Sequence, residues 1–242
     1  SFEPEPAERE GVTFEQIQGG HPGAIVTWWV AGPYAQEGMG YAELHDEVLP
    51  PEMDGDQARW EIINDEPELY SPWKILPDGA MEIVGGAGSI VTKQAFGDIQ
   101  LHLEFRTPWE PNRRGQGRGN SGVYLQARHE IQVLESYGME GENNQCGGLY
   151  GVRRPDVNAC APPTVWQTYD VDFRAARFNE DTGEGEPARI TVRHNGILIH
   201  EDVELPGGAP TQPGDGPIGP IILQDHWNPV QYRNIWVVEL ED

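Results

Sequence analysis

One run of the chain alternates strictly between apolar and polar side chains: Ile99-Gln100-Leu101-His102-Leu103-Glu104-Phe105-Arg106. Successive side chains of a β-strand point to opposite faces, so this period of two predicts a strand with one apolar face. The run Thr168–Arg174 repeats the pattern, with aromatic or aliphatic residues at every second position. Such strands pack their apolar face against a second layer, while the polar face meets water or a ligand.

Further strand-like runs recur between turn signals from Trp60 onward: Met81–Val84, Ser89–Lys93, Gly122–Gln126, Glu130–Glu135, Arg189–His194, Ile197–Val203, Pro220–His226 and Tyr232–Leu240. His194-Asn195-Gly196 predicts a hairpin, because Asn-Gly supplies two residues that accept positive φ. The 30 Gly and 21 Pro residues suit many turns, and no run reads as a helix. The sequence therefore predicts an all-β fold, a two-sheet antiparallel jelly-roll sandwich with few or no helices.

The N-terminal part differs from the rest in composition. Residues 1–20 are acidic and lack periodicity, Ala24–Val30 reads as a first strand, and residues 35–58 read as a long polar loop. We expect residues 1–60 to be an acidic extension with one strand packed on the main domain. Residues 61–242 are then the jelly-roll catalytic domain, a length that commonly forms one all-β unit.

Charge is the outlying property of the composition. The chain has 40 acidic and 16 basic residues, a net charge of −24, and residues 1–70 alone hold 16 acidic and two basic residues. A field of this sign repels nucleic acid and anionic membrane surfaces. No stretch approaches 18 apolar residues, so we expect no insertion into a membrane. The acids either keep the surface solvated, for example in salt, or bind cations.

Two cysteines, Cys146 and Cys160, lie in a stretch rich in Gly, Asn and Pro. They are too few for a structural zinc site without further ligands. We predict a disulfide, which would close a loop of roughly 15 residues and contribute about 3 kcal/mol; the alternative is two free thiols. A disulfide favours an oxidising compartment. Together with a first residue other than Met, it leads us to expect a secreted or periplasmic, cell-envelope protein whose signal peptide has been removed.

The densest group of polar residues is His129–Ser136. Strict alternation would place Glu135 on the apolar face of this strand, which is costly for a carboxylate. A β-bulge near Val133-Leu134 would instead turn Glu135 onto the face of Glu130 and Gln132. The alternative interpretation is a polar strand that faces solvent.

The spacing E-x-Q-x-x-E is similar to the E-x-D-x-x-E strand of jelly-roll glucanases, in which two glutamates flank the scissile bond. Gln132 stands where those enzymes have the middle Asp. The remaining motifs are Phe96–Arg106, Gly119–Leu125, Gly148–Gly151, Trp166–Arg174, Val203–Pro206, Gly219–His226 and Tyr232–Trp236. In this order they resemble the 3-keto-disaccharide hydrolase family, over roughly residues 70–240.

This resemblance implies a concanavalin A-like jelly roll that cleaves glycosides whose glucose carries a ketone at C3. A C3 carbonyl acidifies the proton on C2, so a general base can remove it while the carbonyl oxygen gains enolate charge. The group on C1 then leaves with help from a general acid, and water adds back.

We take Glu130 and Glu135 as the candidate base and acid, with Gln132 binding sugar hydroxyls. His226, on the polar face with Gln224, is a second base candidate or a metal ligand. Glu104 and His102 share one strand face and would supply another wall of the site; the alternative is a surface pair.

Other polar residues are candidates for substrate binding. Lys93, Arg106 and Asn120 would stabilise an enolate or bind hydroxyls, and Trp227 would stack on a pyranose face. No motif requires a cofactor. A divalent metal that polarises the ketone is a further option, and calcium is the ion that loop carboxylates and carbonyls favour.

Three functions follow in order of support: an enzyme acting on 3-keto-glucosides, a non-catalytic lectin-like carbohydrate-binding module, and an ordinary two-carboxylate glycoside hydrolase. Jelly rolls host all three. Binding modules rely on aromatic and amide side chains, whereas this chain offers Glu104, Glu130 and Glu135. Gln132 at the middle position argues against the ordinary glycosidase.

Overall fold

The structure is a computed structural model that describes residues 24–26, 60–63, 73–92, 94–207 and 218–240. In these ranges the chain forms antiparallel strands and turns, with one short 3-10 turn at Gly115–Gly117. None of the described segments is a helix long and apolar enough to cross a membrane. The predicted all-β sandwich is confirmed.

The strands, in chain order, are β1 (Ala24–Val26), β2 (Trp60–Ile63), β3 (Lys74–Ile75), β4 (Met81–Glu82), β5 (Ser89–Thr92), β6 (Ile99–Arg106), β7 (Ser121–Leu125), β8 (His129–Val133), β9 (Gln167–Arg174), β10 (Arg177–Asn179), β11 (Glu184–Glu186), β12 (Arg189–His194), β13 (Ile197–Glu204), β14 (Ile222–Leu223) and β15 (Gln231–Glu239).

Two sheets form the sandwich. The larger sheet has the order β13-β12-β9-β6-β15-β4-β3, and β1 pairs with the far end of β15. The smaller sheet has the order β2-β5-β14-β7-β8, and β10 and β11 form a separate hairpin. Strand β6 is central in the larger sheet, as its clean alternation predicts, and β7 and β8 form one side of the smaller sheet.

The core lies between the two sheets and follows from the alternation of the strands. The apolar face of β6, from Ile99 to Phe105, is buried in the same cluster as Val123 of β7 and Ile131 and Val133 of β8. Because both sheets turn their apolar faces inward, the polar side chains of β6 and those of β8 lie on opposite outer surfaces of the sandwich.

Two buried tyrosines of the larger sheet reach across the core. The hydroxyl of Tyr169 donates to the carbonyl oxygen of Gln132 at 2.7 Å. The hydroxyl of Tyr232 donates to Oγ of Ser121 at 2.6 Å. These bonds connect the larger sheet to β7 and β8, the strands that carry the candidate site, and satisfy buried polar groups that would otherwise be costly.

Most strand predictions hold, with informative exceptions. Asn195 and Gly196 both have positive φ (53° and 77°) at the β12–β13 turn, so the predicted hairpin is confirmed. The β10–β11 hairpin was missed because its strands are polar and partly exposed. The run Pro220–His226 is a strand only at Ile222–Leu223. Of the predicted strand Ala24–Val30, residues 27–30 lie outside the described ranges.

The predicted disulfide is wrong: Cys146 and Cys160 are both buried free thiols. The thiol of Cys160 donates to the carbonyl oxygen of Leu134 at 3.6 Å, and the Sγ atom of Cys146 lies 3.3 Å from the hydroxyl oxygen of Tyr169. Burial raises the pKa of Cys146, which keeps this thiol protonated. The cysteines therefore lend no support to an oxidising compartment.

Candidate functional site

The candidate site is on the outer face of the smaller sheet, centred on Gly122 of β7. Gly122 pairs with Gln132 of β8, and the neighbouring pair is Tyr124 with Glu130. A Cβ atom on Gly122 would lie 2.3 Å from Oε1 of Glu130. Only glycine therefore leaves room for the Glu130 carboxyl group, which lies across the backbone of β7.

Glu130 is a carboxyl group in a desolvated position. Burial raises the pKa of Glu130, and a hydrogen bond from the Tyr124 side chain partly opposes that effect. Burial, followed by the nearby charge of Glu130, raises the pKa of Tyr124. The Nε2 group of Gln224 donates to the Tyr124 hydroxyl at 3.1 Å. A chain of hydrogen bonds thus runs from Gln224 through Tyr124 to Glu130, and it fixes the carboxyl group.

Three amide side chains beside Glu130 form what we call the acceptor cluster: Asn120, Gln132 and Gln224. In each of them the amide oxygen is buried and has no hydrogen-bond partner among the described residues. Their nitrogens are occupied: Gln132 donates to Oε1 of Gln116 at 2.9 Å, and Asn120 donates to the carbonyl oxygen of Gln116 at 2.7 Å.

An unpaired buried acceptor costs about 1–3 kcal/mol, so three of them in one place require an explanation. The hydroxyl groups of a sugar are donors that would satisfy these acceptors if the buried amide side chains turn toward the ligand. The acceptor cluster and Glu130 therefore form a polar surface suited to a ligand with several hydroxyl groups.

The turn after β14 borders this surface. Asn228 is buried; its Oδ1 accepts from the backbone nitrogen of Asn120 at 3.2 Å, and its Nδ2 donates to Glu110 at 2.6 Å. Asp225 accepts from the backbone nitrogens of Gly86 and Gly88, at 2.7 Å and 3.0 Å. His226 lies between these two anchors with a half-buried side chain. The anchors hold the turn that carries His226.

Glu135 lies in a different environment from Glu130. Val133 and Leu134 are both in the core, and β8 ends at Val133 in unbroken register with β7, so the strand ends where the sequence predicts a bulge. The Glu135 carboxylate forms an ion pair with Arg118, whose Nη2 group also donates to the Glu135 carbonyl oxygen at 3.2 Å. Glu135 is 8% exposed, and its charge is neutralised by Arg118.

The structure does not place His102, Glu104 and Arg106 in this site. All three project from β6 on the outer face of the larger sheet, across the core from Glu130. There His102 pairs with Asp170 at 2.6 Å, and Arg233 donates to Glu104 at 2.7 Å. Alternation identifies a polar face but not the sheet to which it belongs, which is why β6 and β8 seemed to share a wall. Lys93 lies outside the described residues.

Sequence reasoning missed several residues of the site. Gly122 and Tyr124 follow Asn120 at intervals of two residues. Residues two apart in a strand share a face, so this spacing could have identified both from the sequence. Gln116, Glu110 and Asn228 orient the amides from loops, where no periodicity marks them. Within the described ranges, no three His, Cys, Asp or Glu side chains converge as a metal site would require.

Comparison with known protein families identifies the family of the chain. A family model described as a 3-keto-alpha-glucoside-1,2-lyase-like domain matches residues 51–238. The chain belongs to this family. The match spans every strand of the described sandwich from β2 to β14 and nearly all of β15, and it confirms the resemblance drawn from the sequence motifs.

Solved structures give the same result. The chain is 34% identical to "a putative glycosyl hydrolase" from Parabacteroides distasonis, with a TM-score of 0.60 over 75% of this chain and 78% of that one. A second protein of the same description and organism is 17% identical, with a TM-score of 0.52 over 75% of this chain and 88% of that one, and it supports the fold alone. No curated protein matches the chain. As a member of the family, the protein is a carbohydrate-active enzyme.

Proposed function

We propose that the protein cleaves glycosides whose glucose ring carries a ketone at C3, with Glu130 as the base that removes the C2 proton. The observation that carries this proposal is the Glu130 carboxyl group, desolvated over Gly122 on the sheet face that it shares with Gln132 and Tyr124. A carboxylate with a raised pKa is a stronger base than one in water, as proton abstraction next to a ketone requires.

The proposed reaction has two halves. Glu130 takes the proton from C2, and the electrons of that bond move through an enolate at C3 to form a C1–C2 double bond as the C1–oxygen bond breaks. His226 donates a proton to the departing oxygen. Water then adds at C1, returning one proton to His226, while C2 regains its proton from Glu130. The sum is hydrolysis, and both residues end as they began.

The other residues bind and position. The acceptor cluster receives hydrogen bonds from sugar hydroxyls, and Tyr124 holds Glu130. Glu135 keeps its ion pair with Arg118 and supports the turn at Gly119, where a Cβ atom would lie 3.1 Å from that of Glu135. In this scheme Glu135 is a positioning residue, and the second proton carrier is His226.

The experiment is a direct comparison of a 3-keto-glucoside with its unoxidised parent, following release of the aglycone. We expect release from the ketone alone. Cleavage of both at similar rates would indicate an ordinary two-carboxylate glycosidase, and binding without cleavage of either would indicate a lectin-like module. Both results would overturn the proposal.

A further inference from the structure

Trp227 has a backbone conformation that is unusual for its residue type. Its φ is 67°, in the left-handed region that disfavours bulky side chains, and its side chain is 68% exposed. Asp225 fixes this conformation, because its Oδ1 accepts from the backbone nitrogen of Trp227 at 2.8 Å while Oδ2 binds the nitrogens of Gly86 and Gly88. A strained, exposed Trp adds nothing to the core, and residues of this kind cluster at functional sites.

The indole of Trp227 lies against Gly86, and the backbone of Trp227 lies against Gly85. A Cβ atom on Gly86 would lie 2.9 Å from Cη2 of the indole, and one on Gly85 would lie 2.9 Å from the Trp227 carbonyl oxygen. The turn can therefore approach the six-membered ring only because these positions lack side chains. One side of the ring is supported by backbone, and the high exposure of the side chain leaves the other side open.

The position of Trp227 relates it to the candidate site. Gln224 and Asn228 lie on either side of Trp227 in the same turn, and they form hydrogen bonds with Tyr124 and Asn120 of β7 and its approach. We call the surface formed by Glu130, Tyr124 and the acceptor cluster the floor of the site. The floor is deeply buried, at 1% exposure for Gln132, whereas Trp227 stands at the rim. In the proposed reaction, C1 and C2 of the sugar meet Glu130, and we take the leaving group to extend from there toward solvent, where Trp227 is exposed.

We propose that Trp227 is the specificity platform for a ring in the leaving group, either a second pyranose or an aryl group. The proposal rests on the function proposed above. Both kinds of ring offer a flat apolar face, and stacking on the open side of the indole is favourable for each. A small acyclic leaving group gains nothing from Trp227. The residue therefore distinguishes disaccharides and aryl glucosides from simple alkyl glucosides.

The test compares methyl, phenyl and glucosyl 3-keto-glucosides on the wild type, Trp227→Gly and Trp227→Ala. Glycine relieves the positive φ, so this variant keeps its thermal midpoint. We expect kcat/KM to fall roughly 3- to 10-fold for substrates with a ring and to stay constant for the methyl substrate. The phenyl and glucosyl substrates separate the two ring types. The control is Ile218→Ala, since Ile218 is equally exposed, at 67%, and lies beside Gly97, outside the turn that carries Trp227.

Equal effects on all three substrates, or no effect on any, would overturn the platform. Failure of the proposed function is a separate result, because the wild type would then cleave none of the substrates. In that event, calorimetric binding of phenyl and methyl glucosides decides. Tighter binding of the phenyl compound that Trp227→Gly abolishes supports the platform, and equal or undetectable binding of both compounds rejects it.

Discussion

Replacing Gly122 by Ala displaces the Glu130 carboxyl group while leaving residue 130 itself unchanged. The added Cβ atom would lie 2.3 Å from Oε1 of Glu130, whereas an ordinary contact needs about 3.4 Å, so the carboxyl group must move by about 1 Å. A misplacement of about 1 Å costs on the order of 100-fold in rate when a reaction depends on alignment. Gly122 does not have positive φ, so Ala fits the backbone and we expect the free energy of unfolding to be unchanged or slightly higher.

The assay is kcat/KM on a 3-keto-glucoside together with the thermal midpoint of the same preparation. Gly97→Ala is the matched control, because its Cβ atom would meet nothing closer than Cγ2 of Ile218 at 3.9 Å. Adding Glu130→Asp to Gly122→Ala shortens the carboxyl side chain and should recover part of the lost rate. A folded Gly122→Ala protein with full activity would refute the assignment of Glu130.

Four further outcomes are expected. Glu130→Gln should lower turnover roughly 10²- to 10⁴-fold while the protein stays folded. If Glu135→Gln shows that loss and Glu130→Gln does not, the base is Glu135. Burial lowers the pKa of His194 to about 4, below its value of 6.5 in the unfolded chain. The neutral His194 therefore contributes its full stabilisation of the fold above about pH 6.5 and loses that stabilisation as pH falls toward about 4. From pH 7 to 5 the free energy of unfolding, measured in urea, should drop by about 2 kcal/mol from this residue, with a smaller drop in His194→Gln. A thiol reagent should label both Cys146 and Cys160 after unfolding without reductant. A protein whose mass does not change would instead contain a disulfide between them. The net charge of −24 should make the thermal midpoint rise with sodium chloride, because the Debye length shrinks from about 10 Å at 0.1 M to about 3 Å at 1 M; a flat response would mean local compensation.

The fold was accessible from the sequence because alternation is a local property. The run Ile99–Arg106 forms β6 with the predicted bounds, and Asn195-Gly196 forms the predicted turn, since each pattern depends on residues close in the chain. Glu130 and Gln132 share a face for the same reason. What alternation could not give is which sheet a strand joins, and so Glu104 was placed with Glu130 although the core separates them.

The environment of each candidate depends on contacts made far along the chain. Arg118 neutralises Glu135 from a loop, and Asn228 reaches Asn120 across 108 positions. The disulfide prediction failed similarly, because spacing alone does not report that the Cys146 thiol lies beside Tyr169 inside the core. The sequence shows that residue 122 is a glycine, but it does not show that the Glu130 carboxyl group occupies the space where a side chain would be.

The fate of the C2 hydrogen during cleavage shows whether Glu130 removes that proton. The wild type is given a 3-keto-glucoside in D₂O, and the released sugar is analysed by mass spectrometry at early times, with the sugar alone in D₂O as the correction for spontaneous exchange. If the proton on Glu130 exchanges with solvent before it returns, abstraction at C2 predicts one deuterium at that carbon in the enzymatic product. If Glu130 returns the same proton, abstraction predicts a primary isotope effect with the C2-deuterated substrate in H₂O. Glu130→Gln should lose the product in either case. A product that retains its original C2 hydrogen and forms equally fast from the C2-deuterated substrate would contradict the proposed reaction, because direct displacement at C1 would then be the reaction.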